Sequence, residues 1–368
     1  MVTSSLLSDA LTFDDLPGWA EDDHAAALDA FLKSAQKMQE KPPKTRALGL
    51  NGEALSEIGG WLMSLDEGVL GNEARLFFED HFVPRLIQPS EKAKSDDRGF
   101  VTGYYEPEVL GSRIKSERFS APLLRRPHDL VRVADLAEED VPKDWDPEIR
   151  FARQLADGIG PYHNRQAISS GAVADQELEI VYLEDPVDAF FIHIQGSARI
   201  RLDEGGIMRV SYAAKTGHAY TAIGRELIKR GEIAREKMSM EAIRSWLGDN
   251  PDQQDEVMWQ NQSYIFFDEI ENLDPEDGPI GAANVPLSSM RSMAVDRLLH
   301  TFGSPIFLNA NLQGGFQHLM IGQDTGSAIV GPARGDIYFG SGLEAEKIAG
   351  AVQHAADFYL LWPKNQPL

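Results

Sequence analysis

Residues 320–342 read MIGQDTGSAIVGPARGDIYFGSG. One apolar run ends at Asp324 and another begins at Asp336, with a glycine-rich connection between them. Short apolar runs bounded by Gly and Pro are strand-like, and the glycines let the backbone turn tightly and approach a ligand closely. Carboxyls held by strands at the rim of a groove suit acid–base chemistry. On spacing alone, a solvated loop whose aspartates make Asx turns is an equal reading. Asp324-Thr325-Gly326-Ser327 also spells the aspartic-protease tetrapeptide. That chemistry needs two such aspartates sharing a proton, and the chain holds one copy.

Working outward, residues 263–267, 305–308, 318–322 and 336–339 read as strands, and residues 344–358 as a closing helix. Upstream, FVTGYYEPEVLGS from Phe100 and residues 178–182, 189–195, 199–202 and 207–212 carry β-branched and aromatic residues at strand-like spacing. The DEGG of residues 203–206 reads as a hairpin turn. Helical stretches are expected at 220–230 and 240–247, and PDQQDE (251–256) reads as a boundary. The first hundred residues are helical in pattern at 22–38, 54–65 and 72–82, until Pro84 and the polar run 89–99 end them. The fold class is therefore mainly β with peripheral helices, without the strand–helix alternation of a doubly wound sheet.

The 368 residues carry 35 Lys+Arg against 58 Asp+Glu, a net charge of −23. Such a surface repels phosphate backbones and anionic headgroups, so no nucleic-acid partner is expected. The absence of cysteine removes thiol catalysis, disulfides and zinc ribbons together. No apolar run is long enough to span a bilayer. Residues 1–5 show neither a basic nor an apolar leader region, which leaves a cytosolic protein and one without its export signal both open. The nine histidines show no metal spacing. His193, set among apolar residues, reads as a core histidine. Asn261-Gln262-Ser263 matches a glycosylation sequon of the kind chance often supplies.

Six segments, in order, resemble the family of membrane-bound lytic murein transglycosylase A: VTGYYEP (101–107), FIHIQGS (191–197), NQSYIFF (261–267), GAANVPL (281–287), MAVDR (293–297) and residues 324–342. The resemblance extends from about residue 100 to the C-terminus. It implies a double-psi β-barrel large domain made of residues 1–107 and 258–368, interrupted by a smaller β domain at 108–257, with a substrate groove between them. It implies Asp336 as the catalytic acid, Asp324 and Asp296 as further aspartates of the site, and Tyr104, Gln195, Gly196 and Ser197 as groove-lining residues. The implied activity is non-hydrolytic cleavage of the β-1,4 bond between N-acetylmuramic acid and N-acetylglucosamine in peptidoglycan, leaving 1,6-anhydro ends. Neither cofactor nor metal is expected. Peptidoglycan strands and other cell-wall enzymes are the implied partners of a monomer in the periplasm, at the outer membrane. Two departures stand out: the chain lacks the N-terminal cysteine of lipidated members, and Ala198 follows QGS where glycine is expected. A polysaccharide hydrolase on the same barrel and a non-catalytic wall-binding module remain open as rivals.

Overall fold

The computed structural model describes residues 6–65, 67–89, 98–147, 149–271, 274, 277–312 and 314–367. Most of the polar run 89–99, and the chain start discussed above, lie outside the described residues. The chain divides into two compact units, Met1–Tyr105 with Asp274–Leu368, and Glu106–Leu273.

The first unit is built on a seven-stranded sheet. Its strands are Phe82–Leu86, Gly99–Glu106, Ser292–Val295, Pro305–Ala310, Phe316–Asp324, Arg334–Ser341 and Gln353–Pro363. The last strand pairs with Pro305–Ala310 along one edge and with Gly99–Glu106 along the other, which closes six of the strands into a barrel. Phe82–Leu86 lies alongside the far end of that last strand. Ser292–Val295 is threaded between Phe316–Asp324, to which it is parallel, and Arg334–Ser341, although those two are consecutive in the chain. Arg334–Ser341 is likewise threaded between Gly99–Glu106 and Ser292–Val295, which follow one another among the strands of the barrel. Two interleaved strands of this kind make the barrel double-psi.

Three helices, His24–Glu40, Gly52–Met63 and Glu67–His81, accompany this barrel. Asp23 caps the first by accepting the Ala26 N–H, and Asn51 caps the second. Gly59 permits their close approach, because a Cβ there would lie 2.9 Å from that of Ala35. Phe31 meets Phe77, Phe78 and Phe82 in one aromatic cluster. Two buried polar anchors fasten this layer to the barrel. Gln323 donates to the Ala30 carbonyl and the Ser34 hydroxyl, both at 2.7 Å, while accepting from Ser292. Asp22 accepts from Arg291, His318 and the Leu319 N–H. The expected closing helix at 344–358 is a shorter helix, Gly342–Ala351, followed by the barrel-closing strand Gln353–Pro363.

The second unit contains a six-stranded sheet. In spatial order its strands are Ile265–Glu269, Ile207–Lys215, Ser197–Leu202, Glu108–Ser112, Glu179–Leu183 and Ala121–Leu124. Gly205 and Gly206 take the positive φ of the expected 203–206 turn. The run 189–195, expected as a strand, is instead the end of the helix Pro186–Gln195. Asp185 caps it, Pro186 opens it and Gly196 closes it in the left-handed region. Residues 251–256, expected as a boundary, begin the helix Pro251–Trp259 within this unit. Asn261 is buried with its side chain accepting the Thr221 N–H, so the sequon there is a structural residue.

Glu106, with none of its side chain exposed, accepts from Arg199 at 2.7 Å and Arg209 at 3.0 Å. Removing one partner of a buried ion pair leaves the other charge uncompensated, at about 3 kcal/mol or more. Glu106→Ala is therefore expected to lower the unfolding free energy from urea titration by that amount, and a value equal to wild type would show the pair to be dispensable.

Candidate active site

The strand Ser292–Val295 decides how the two glycine-flanked aspartates meet. Ala294 pairs across to Asp336 on one neighbour and to Asp324 on the other. Cross-strand partners share a face, so both carboxyls stand on Ala294's face, with only its methyl between them. Two strand spacings put their Cα atoms roughly 10 Å apart. The parallel register slips by one residue here: Met293 pairs with Gly322, but Ala294 pairs with Asp324. Such a bulge re-aims a side chain. It frees Gln323 to reach the helix His24–Glu40 and still turns Asp324 to the face of Asp336.

One strand supplies both carboxyls with a hydroxyl. Thr102 donates to Asp336 Oδ1 at 2.5 Å, and Tyr104, two residues on and hence on the same face, donates to Asp324 Oδ2 at 2.9 Å. The Ala282 backbone N–H donates to Asp324 Oδ1 at 3.0 Å. Tyr104, Leu287, Ala294, Ile329 and Tyr338 form a buried apolar cluster around the pair, with the two tyrosine rings 5.4 Å apart. Arg334 donates to the Thr102 hydroxyl at 2.8 Å and to the Gly335 carbonyl, with its guanidinium 5.5 Å from the Phe100 ring centre.

These surroundings set the acidities. Burial pushes Asp336 up to about 6, against the Thr102 hydrogen bond and the Arg334 charge that pull it down, while the Asp324 charge adds to the rise. Burial also raises Asp324, but backbone N–H groups of Ala282 and Thr325 and the Tyr104 hydroxyl all favour its ionised form. Burial and then the Asp324 charge push the Tyr104 hydroxyl well above its ordinary range, so it stays a neutral donor.

Asp296 is 7% exposed. It accepts the N–H groups of Leu298 and Gly331, the second from the connection between Asp324 and Asp336. Buried His300 bonds the Pro332 carbonyl of the same connection at 2.8 Å. Gln195, Gly196 and Ser197 belong to the second unit: Gly196 is the left-handed helix cap, and Ser197 opens a strand opposite Ser211. His193 is buried on that helix, with Arg165 3.0 Å from its Nδ1. Thr102, Arg334 and Ala282 escaped the sequence reading. Period-two alternation could have found the first two, since Thr102 shares a face with Tyr104 and Arg334 with Asp336.

The model of the MltA-specific insert domain matches residues 100–268, and that of the 3D domain matches residues 291–362. The chain is similar to membrane-bound lytic murein transglycosylase A of Escherichia coli K12, 31% identical over 280 residues covering 73% of this chain and 67% of that protein. Among solved structures, a membrane-bound lytic murein transglycosylase from Agrobacterium tumefaciens aligns over 98% of both chains, with 42% identity and a TM-score of 0.88. MltA from Neisseria gonorrhoeae aligns over 97% of this chain and 93% of its own, with 29% identity and a TM-score of 0.79. E. coli MltA with bound chitohexaose aligns over 92% and 90%, with 26% identity and a TM-score of 0.65. Fold and matches together are those of a lytic transglycosylase. The chain belongs to the membrane-bound lytic murein transglycosylase A family.

A raised carboxyl pKa has a consequence for stability. Asp336 ionises near pH 4 when unfolded and near 6 when folded. The native state is thus unpenalised below pH 4 and loses stability as pH rises through 6. Two units correspond to about 3 kcal/mol, reduced here because Asp336 is partly exposed. Asp336→Asn keeps the acceptor for Thr102 and removes the charge. Urea unfolding should find it about 1–3 kcal/mol more stable than wild type at pH 7.5, with the gap closing by pH 4. A gap that does not change with pH would contradict this.

Proposed function

We propose that this lytic transglycosylase cleaves the β-1,4 bond between N-acetylmuramic acid and N-acetylglucosamine with Asp336 as both proton donor and proton acceptor. The observation that carries the reading is one carboxyl, partly exposed, whose surroundings raise it to about 6 and so keep a useful fraction protonated near neutral pH. The solved relative bound to chitohexaose supports a glycan strand as the ligand. The relatives are named as membrane-bound, which puts the protein in the cell envelope, and among the described residues no helix is long and apolar enough to cross a membrane. We place its action in the periplasm, as a monomer on peptidoglycan.

In the first step the Asp336 proton passes to the glycosidic oxygen, the C1–O bond breaks, and N-acetylglucosamine leaves. The positive charge on the muramic ring faces the Asp336 carboxylate. The C6 hydroxyl of that ring then attacks C1 and its proton returns to Asp336, closing the 1,6-anhydro ring and restoring the acid. No water is consumed. Intramolecular attack replaces a bimolecular step, which with good geometry contributes roughly 7 kcal/mol or more. Asp324, held by Tyr104 and Ala282, stays beside it as a fixed negative field that keeps Asp336 proton-rich and favours positive charge on the sugar. Asp296 serves by holding the connection at Gly331. Tyr104 serves through Asp324, and Gln195, Gly196 and Ser197 bind glycan.

Mass spectrometry of digested peptidoglycan is expected to show muropeptides lighter by one water than hydrolytic products; free reducing ends would instead identify a hydrolase. Asp336→Asn is expected to lower turnover by about a thousandfold or more while the folded protein still sediments with insoluble wall. Wild-type turnover in that variant would remove Asp336 from the chemistry. Because one group acts first as acid and is then already a base, kcat/KM should show a single limb. It is level below about pH 6 and falls up to tenfold per unit above it. A bell-shaped profile in that range would call for a second titrating group.

A further inference from the structure

We infer that Arg334 is a positioning residue: acting through Thr102, it dictates which oxygen of Asp336 carries the acid proton. The inference rests on Asp336 being the proton donor proposed above.

A threonine hydroxyl has one hydrogen and can also accept, whereas a guanidinium only donates. Arg334 donates to the Thr102 oxygen at 2.8 Å. The Thr102 hydrogen must then point elsewhere, and the acceptor in reach is Asp336 Oδ1 at 2.5 Å. Oδ1 is therefore an acceptor whether Asp336 is charged or neutral, and the transferable proton sits on Oδ2. Without Arg334, the hydroxyl could rotate and accept a proton from Oδ1 instead. That arrangement satisfies the acid internally and withholds its proton from the glycosidic oxygen.

The guanidinium is well placed to enforce this. It lies 5.5 Å from the Phe100 ring centre and bonds the Gly335 carbonyl, and the Phe100 N–H bonds the Ala333 carbonyl at 2.9 Å. Arg334 and Asp336 share a face of one strand, as Phe100 and Thr102 do on another, so side-chain alternation aligns all four. The Thr102 hydrogen bond and the Arg334 charge pull the pKa of Asp336 down against burial, so their loss moves it upward.

The test uses the full chain on purified peptidoglycan, with circular dichroism to confirm folding, and four variants. Arg334→Met is expected to lower kcat about tenfold with KM within about twofold, and to move the alkaline limb of kcat/KM upward by about one pH unit. Thr102→Val removes the hydroxyl that would trap the proton. Alone it should lower kcat, though less than Arg334→Met does, and added to Arg334→Met it should raise kcat back toward its own level. Thr102→Ser keeps the hydroxyl and should lie nearer wild type than Thr102→Val does. A merely structural role predicts the reverse, with the double variant the weakest. The inference is overturned if Thr102→Val fails to improve Arg334→Met, or if Arg334→Met leaves both kcat and the limb unmoved. Should Arg334→Met not fold, a loss of more than tenfold in Thr102→Val would overturn it. Turnover in Asp336→Asn would instead mean that the donor assignment itself had failed, a separate outcome.

Discussion

Two carboxyl groups share one face of a barrel wall with a single alanine between them. The remainder of the site follows from that constraint. Ala294 can pair with Asp324 and Asp336 at once only because the parallel register slips by a residue beside it. The slip is stabilised by Gln323, which occupies the extra position and spends its amide on Ala30, Ser34 and Ser292. The helix His24–Glu40 thus shapes the site without touching the two carboxyls. Its carbonyl and hydroxyl hold the residue that turns Asp324. A bulkier side chain at position 294 would fill the space the two carboxyls share.

The division of labour between the carboxyls comes from donor count. Both are pushed up by burial. Asp324 then meets three donors, from Ala282, Thr325 and Tyr104, whereas Asp336 meets the one Thr102 hydroxyl and a nearby guanidinium. Hydrogen bonds to the charged form favour it, so more donors oppose the effect of burial at Asp324 than at Asp336. Each then reinforces the other, since a fixed negative charge beside Asp336 makes its ionisation harder. The environment on one strand, with hydroxyls at 102 and 104, is what separates two otherwise identical side chains.

Much of this was legible from residue order. The flanking strands at Asp324 and Asp336, the early helices and the 203–206 hairpin all follow from spacing and turn chemistry, and the barrel came from resemblance. Three features were misread, each for a local reason. Residues 189–195 are rich in aromatic and β-branched side chains, which outweighed the Asp185-Pro186 start and Gly196 stop that make them helical. Residues 344–358 keep helix-compatible alanines past Ala351, yet the chain there is needed to close the barrel against Gly99–Glu106 and Pro305–Ala310. PDQQDE at 251 looked like a linker because proline at a helix's first turn and proline in a loop read alike. Alternation also puts Gln323 and Asp324 on opposite faces, and nothing local in the sequence announces the register slip.

The state of Asp324 bears on the proposed mechanism with a single working carboxyl. A hydrolase of the two-carboxyl kind needs its second group free to activate water or to attack the sugar. Asp324 has a donor on each oxygen, the Ala282 N–H on Oδ1 and the Tyr104 hydroxyl on Oδ2. Those donors occupy the lone pairs a base or nucleophile would use, and the Tyr104 hydroxyl, pushed up by burial and the Asp324 charge, stays a neutral donor. What Asp324 retains is its field, which acts over the distance to Asp336 without movement. A fixed charge beside one mobile proton is what the proposed reaction needs, since its nucleophile arrives on the substrate.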